Sequence, residues 1–258
     1  MKIPGMKSRL KAFGLHFSGS VAVLLLVLGT LYLGWYRWPG WYLTGVTKVL
    51  PITLSVDLVL GPLMTLIIAN PNKSTRELAR DIAVIAGIQL VALSYGCFTL
   101  WQGRPLYYAF SENELSVVQA MDMEPGEIEL GRKTNPDFAP HWYSRPRWIW
   151  APLPKDDKTR NDIIHSATSG GYDVTAMPRY FKDWSQGLPD LRKQLKKVDD
   201  SRYFSGAQHK LLKQRMQERG FAPDAPDTLP MTGHGVPLLA VFDPGTLQIR
   251  ALLQATPP

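Results

Sequence analysis

Cysteine is almost missing from this chain: Cys97 is the single one in 258 residues, and none follows Gly103. The part from Gly103 to Pro258 therefore folds without disulfides and does no thiol chemistry. Cys97 lies inside an apolar run and reads as a small packing residue. Long apolar runs are equally absent after Trp101, so nothing beyond that point spans a bilayer as a helix. Excess charge is scarce where it would matter. The formal net charge is +7, but residues 1–102 hold nine Lys and Arg against Asp57, Glu77 and Asp81, a balance of +6, which leaves about +1 for the rest. The basic surplus is a feature of the apolar part, and a nucleic-acid partner is excluded.

Catalytic signatures are lacking too. There is no His-Glu-x-x-His, no cysteine-based metal site and no Gly-x-Ser-x-Gly turn. Ser169-Gly170-Gly171 reads as a helix stop rather than a phosphate cradle. His141, His165, His209 and His234 have no ligand spacing and read as surface or hydrogen-bonded structural residues. No catalytic residue, metal ligand or cofactor is assigned.

What is present is a set of three apolar runs, Phe17–Tyr36, Val49–Ala69 and Ile82–Trp101. Each is about 20 residues, the length of helix that crosses a hydrocarbon core of about 30 Å. Lys2, Lys7, Arg9 and Lys11 precede the first run, and Lys73, Arg76 and Arg80 separate the second from the third. Only Arg37 and Lys48 lie between the first two. Positive residues favour the cytoplasmic side, so the N-terminus and the 70–81 loop are expected inside and the C-terminal domain outside. Trp35, Tyr36, Trp38, Trp41, Tyr42 and Trp101 then fall at the outer interface, where amphipathic rings settle. A cleaved signal peptide would share the basic start, but Gly34-Trp35-Tyr36-Arg37-Trp38 offers no small-x-small cleavage site.

The second run is the unusual one. It carries Asp57, then Gly61-Pro62 near its middle. Proline removes a backbone donor, so a kink is expected at Pro62. A carboxylate at such depth costs about 2.5–3.5 kcal/mol on insertion scales and calls for a partner. Gln89, Ser94 and Tyr95 of the third run are candidates within the chain, and a docking partner is the alternative. Ser74 with Glu77 forms a capping-box pattern that starts the third helix.

After Gly103 the pattern predicts an α+β domain. Pro105–Phe110 and Leu115–Ala120 read as a hairpin, and residues 124–154 as loop-rich with Trp142, Tyr143, Trp148 and Trp150. Asp156 or Asp157 caps a short helix through Ala167. Leu188–Val198 is a basic amphipathic segment, and Ser205–Arg219 a helix stopped by Gly220. Thr232-Gly233-His234-Gly235 reads as flexible loop. Val236–Phe242 and Thr246–Leu253 flank Asp243-Pro244-Gly245, a hairpin with a short turn. The terminal hairpins are expected to share a sheet. The division expected is a three-span transmembrane domain over 1–102 and a periplasmic α+β domain over 103–258.

Several blocks carry a family likeness. They are Met6-Lys7-Ser8-Arg9-Leu10-Lys11-Ala12-Phe13-Gly14-Leu15-His16, Val56–Ile67 with its Asp57 and Gly61-Pro62, Asn70–Ser74, Arg76-Glu77-Leu78, Arg80–Ile85 and Gly103–Phe110. In these the chain resembles the type IV pilin accessory proteins, the TfpX/TfpZ-like family. The resemblance implies a non-enzymatic, multi-pass protein of the bacterial inner membrane. Such a protein binds a cognate major type IV pilin, together with other pilus-assembly components, and promotes assembly and surface display or tunes extension against retraction. It implies no cofactor. Asp57, Gly61, Pro62, Arg76 and Arg80 are the candidate partner-binding residues, and the lipid bilayer is the other partner. The alternative is a membrane-anchored periplasmic enzyme acting on envelope glycan or lipid.

Overall fold

The computed structural model describes residues 6–68 and 73–256. Lys2, Ala69 and the Asn70-Pro71-Asn72 part of the 70–81 loop lie outside the described residues. Among the described residues, three helices are long and apolar enough to cross a membrane: Arg9–Tyr36, Val46–Ile68 and Arg76–Gln102. A mixed α+β region with a seven-stranded sheet follows them.

The chain divides into two compact units. The first comprises Met1–Gly34 and Val46–Gln102, and the second Trp35–Gly45 and Gly103–Pro258. This differs from a simple cut after residue 102, because the segment between the first two spans is grouped with the second unit.

In the first unit, α1 covers Met6–Leu31 and runs into a π turn, Tyr32–Tyr36, whose last two residues belong to the second unit. A short helix, α2 (Gly40–Leu43), belongs to the second unit. The second span is built in three pieces: α3 (Val46–Ser55), a π turn (Val56–Leu60) and α4 (Gly61–Ile68). The expected irregularity thus takes the form of a widened turn just before Pro62. Pro62 has no N–H for the carbonyl four residues back and its ring crowds that group. Widening the turn relieves this, with Gly61 N–H bonding to Val56 O, five residues earlier. The third span, α5 (Thr75–Gln102), starts on the expected reciprocal cap. Ser74 N–H donates to Glu77 Oε2 at 3.0 Å and Glu77 N–H to Ser74 Oγ at 3.3 Å.

In the second unit the strands are β1 (Pro105–Ser111), β2 (Glu114–Gln119), β3 (Arg147–Trp150), β4 (Lys182–Asp183), β5 (Thr228–Thr232), β6 (Leu238–Phe242) and β7 (Ile249–Gln254). Their order is β4-β3-β1-β2-β5-β6-β7. The terminal hairpins β1–β2 and β6–β7 do share the sheet, joined through β5. The pairs β1–β3 and β2–β5 are parallel and the others antiparallel. The helices are α6 (Pro125–Thr134), α7 (Asp157–Thr168), α8 (Leu188–Gln194) and α9 (Gly206–Glu218). The 124–154 region is therefore more ordered than its prolines suggest, holding α6 and β3. Asp156 caps α7 by accepting from Thr159 N–H at 2.8 Å. Gly220, at φ +76°, closes α9 in the left-handed region, with Phe221 N–H reaching back to Met216 O at 2.9 Å.

Both faces of the sheet are covered, which is why β1 and β6 are buried at every position. On one face Tyr108, Phe110, Leu115, Met231, Ala240 and Phe242 pack with Leu191 of α8 and Leu43 of α2. On the other, Tyr107, Ala109 and Ile149 meet Ile163 of α7, while Leu239, Val241 and Leu253 meet Leu212 and Met216 of α9. Burial pushes the Tyr107 and Tyr108 phenols up to about 12.

The closing hairpin is longer at its turn than Asp-Pro-Gly suggests. β7 begins at Ile249, and Asp243 N–H bonds to Gln248 O at 2.8 Å. The Asp243 carboxylate accepts from the Thr246 N–H (2.8 Å) and hydroxyl (3.1 Å) and from the Gly245 N–H (3.0 Å), which holds it below the usual carboxylate range. The left-handed residue is Leu247, at φ +58°, rather than Gly245.

The segment from Trp35 to Gly45 is stitched into the second unit by side chain and backbone. Trp35 Nε1 donates to Ser144 O at 2.6 Å, and Tyr42 Oη lies 2.6 Å from Thr256 Oγ1. Gly235 N–H donates to Leu43 O at 2.6 Å. Gln119 Nε2 donates to both Gly103 O and Thr44 O. A Cβ at Gly235 would run into the Tyr42 carbonyl, so this approach requires glycine. The Thr232–Gly235 loop is thus pinned rather than loose. Leu43 has no exposed surface. Leu43→Ala should destabilise the second unit by about 2–5 kcal/mol, the usual cost of emptying such a site. Urea unfolding followed by tryptophan fluorescence would measure it. A loss well under about 1 kcal/mol would show that α2 is not part of this core.

Candidate functional site

In the second span Asp57 sits on the π turn and Gly61 and Pro62 follow it, all three buried. Asp57 is 4% exposed, and its Oδ2 has no hydrogen-bond partner among the described residues. It lines a cavity of about 380 Å³ among the three spans. The first span contributes His16, Gly19, Ser20 and Val23 to the wall, and the third contributes Ala86, Gln89 and Leu90.

A polar network closes one side. His16 Nδ1 lies 2.6 Å from Thr65 Oγ1 and its Nε2 lies 2.7 Å from Gln89 Oε1. Gln89 Nε2 donates to the Asp57 backbone carbonyl at 3.2 Å. Thr65 Oγ1 donates to Gly61 O at 3.1 Å. The network ties all three spans together, through half-buried His16 of the first and buried Thr65 and Gln89 of the other two. Gln89 was a candidate partner for the Asp57 carboxyl. Its amide N–H instead goes to the backbone carbonyl and its Oε1 to His16, and Asp57 Oδ2 has no partner among the described residues. The π turn explains this, since it frees a carbonyl beside Asp57 that would otherwise close a normal helical bond. Gly61 makes room: a Cβ there would collide with the Gln89 side chain.

Arg76 and Arg80 do not join this cluster. They lie exposed on the first turns of α5. Arg80 Nε stands 4.0 Å from Asp81, whose other carboxylate oxygen takes Lys73 at 2.7 Å. His16 and Thr65 are the members that reading for charge missed. His16 lies 49 residues from Thr65 and 73 from Gln89 in the chain, so no local pattern joins them.

No protein-family model matches the chain, and no solved structure matches it. Fimbrial assembly proteins of Dichelobacter nodosus are similar to it. The serogroup I protein is 27% identical over 194 residues, 74% of this chain and 73% of the relative. The serogroup E1 protein gives the same figures. The protein of serogroups C1 and C2 is 31% identical over 118 residues, 46% of this chain and 90% of the relative. The chain belongs to the fimbrial assembly protein family.

The second unit of this fimbrial assembly family member has its own cleft, of about 640 Å³, where His234 Nε2 meets Asp122 Oδ1 at 2.8 Å. Ser116 and Thr175 also line it. Among the described residues, no hydroxyl hydrogen-bonds to the His234 ring. His209 bonds to Ser201 O at 3.1 Å, and His141 stacks on Tyr143. Among the described residues no group of three or more His, Cys, Asp or Glu is placed to hold a metal ion. Trp148 and Trp150 pack partly buried against the sheet core, with Trp148 against Tyr108 and Trp184. Trp142 is 72% exposed and stands edge-on to Tyr143.

The network yields a direct test. Gly61→Ala should displace Gln89 and lower the thermal stability of the spans in detergent, by about 0.6–2 kcal/mol for the hydrogen bonds it breaks. Gly87→Ala, where a Cβ would meet nothing within 4 Å, should be neutral. Equal effects at the two glycines would contradict the network.

Proposed function

We propose that this protein is a non-enzymatic accessory factor of pilus biogenesis in the bacterial inner membrane, and that it holds a type IV pilin laterally through the three-span cavity. The observation that carries the reading is Asp57 Oδ2, which has no hydrogen-bond partner among the described residues, on a side chain that lines that cavity. The relatives named fimbrial assembly proteins support the pathway. In lipid, helices gain little from apolar transfer and associate through close packing and polar contacts. Gly19 and Ser20 on one wall allow close approach, and Asp57 accepts a donor from an incoming helix. Such a donor would satisfy an oxygen whose isolation is costly.

The Lys/Arg distribution supports a cytoplasmic N-terminus and a periplasmic second unit. Arg76 and Arg80 would then face the cytoplasm, available to other pilus-assembly components. Holding the pilin in the membrane would favour assembly and display and shift the balance of extension against retraction.

Pilin recovered with the protein from native membranes, at equal protein level, tests the proposal. Asp57→Leu should cut recovery about 3- to 30-fold, the factor that corresponds to one polar contact in lipid. Asp57→Asn, which keeps the shape and adds a donor, should fall between it and the native chain. Undiminished recovery with both variants would remove Asp57 from the binding site.

A further inference from the structure

The two edges of the sheet are unlike. One is β4, two exposed residues, Lys182–Asp183, short and charged as protected edges are. The other is β7, six residues long and, among the described residues, paired with β6 on one side only. It carries no proline and a single charge, Arg250. An edge of that length presents a row of backbone donors and acceptors to any extended chain that reaches it.

A cleft of about 570 Å³ runs along the last five residues of β7, Arg250 to Gln254. Trp38, Arg215, Glu218 and Arg219 form the rest of its wall, so with Arg250 the cleft holds three arginines and one carboxylate. Two of the arginines are positioned by the fold. Arg215 Nη1 donates to Gln254 O at 2.6 Å, which uses one of its five N–H donors and closes the C-terminal end of the edge. The Arg250 guanidinium sits 5.4 Å from the centre of the Phe221 ring. Trp38 is 48% exposed and held against Tyr42, itself bonded to Thr256.

We infer that the open edge of β7 and the arginine cleft beside it form a docking site for an extended acidic segment of a partner polypeptide, which adds to the sheet as an eighth strand. The main chain of the segment pairs with β7. Its carboxylates meet Arg215, Arg219 and Arg250, and Trp38 covers one apolar side chain. A second copy of this chain does not fit, because pairing β7 with β7 would bring two sets of three arginines together. The site lies wholly within the second unit and does not depend on the membrane cavity.

The test uses the full chain in lipid nanodiscs and two labelled ten-residue peptides, one alternating threonine and glutamate, the other threonine and lysine. The glutamate peptide should bind saturably, and more weakly as salt rises. Hydrogen exchange at β7 amides should slow when it binds. Arg219→Glu with Arg250→Glu, both at exposed positions, should weaken binding at least tenfold while leaving the unfolding transition in place. The lysine peptide should not bind. Equal binding of the two peptides, no binding of the glutamate peptide, or binding without protection of β7 would each overturn the assignment. Protection of β7 on concentrating the protein alone would also overturn it, in favour of self-pairing.

Discussion

A carboxyl group in a membrane span calls for a donor, and in the first unit Asp57 Oδ2 has none among the described residues. Asp57 sits where proline geometry has already opened the helix, because Pro62 forces a wide turn over Val56–Leu60. The freed backbone carbonyl of Asp57 is taken by Gln89, and Gln89 fits only because residue 61 is glycine. Gln89 and Thr65 in turn hold His16. One substitution-sensitive chain of hydrogen bonds thus links three helices and leaves Asp57 Oδ2, without a partner among the described residues, beside a cavity. In lipid such polar contacts are what give helices a defined arrangement, since apolar packing alone discriminates weakly.

The second unit solves a different problem. A sheet covered on both faces needs apolar side chains from several segments, and one of them, Leu43, comes from between the first two spans. The chain therefore enters the soluble core before its second span is made and returns after the third. Tyr42, Leu43, Gln119 and Gly235 make that join through directional bonds rather than surface contact.

Much of this was legible in the sequence where the signal is local. An apolar run of about 20 residues has one regular solution in lipid. The caps of α5 and α9 are written in Ser74 with Glu77 and Ser205 with Gln208, reciprocal pairs three residues apart. The misses are non-local. β5 carries Pro230, which argues against a strand. It survives because β2 pairs only with Met231 and Thr232, so Pro230 has a ladder on one flank alone. β3 is four residues between prolines and is held by β1 through pairing 40 residues away in sequence. The aromatics of 35–45 read as interfacial rings, and nothing nearby marks Leu43 as core. At the site, Asp57 and Gly61-Pro62 stand out by composition, whereas His16 and Thr65 join them only through helix packing.

The central claim is that the cavity between the spans receives a pilin helix. A photo-reactive residue at Val23, on the cavity wall, compared with one at Val91, which is 72% exposed and outside that wall, tests it in native membranes. The account predicts a crosslinked pilin adduct from Val23 and little or none from Val91. Equal capture from both, or capture from Val91 alone, would contradict it.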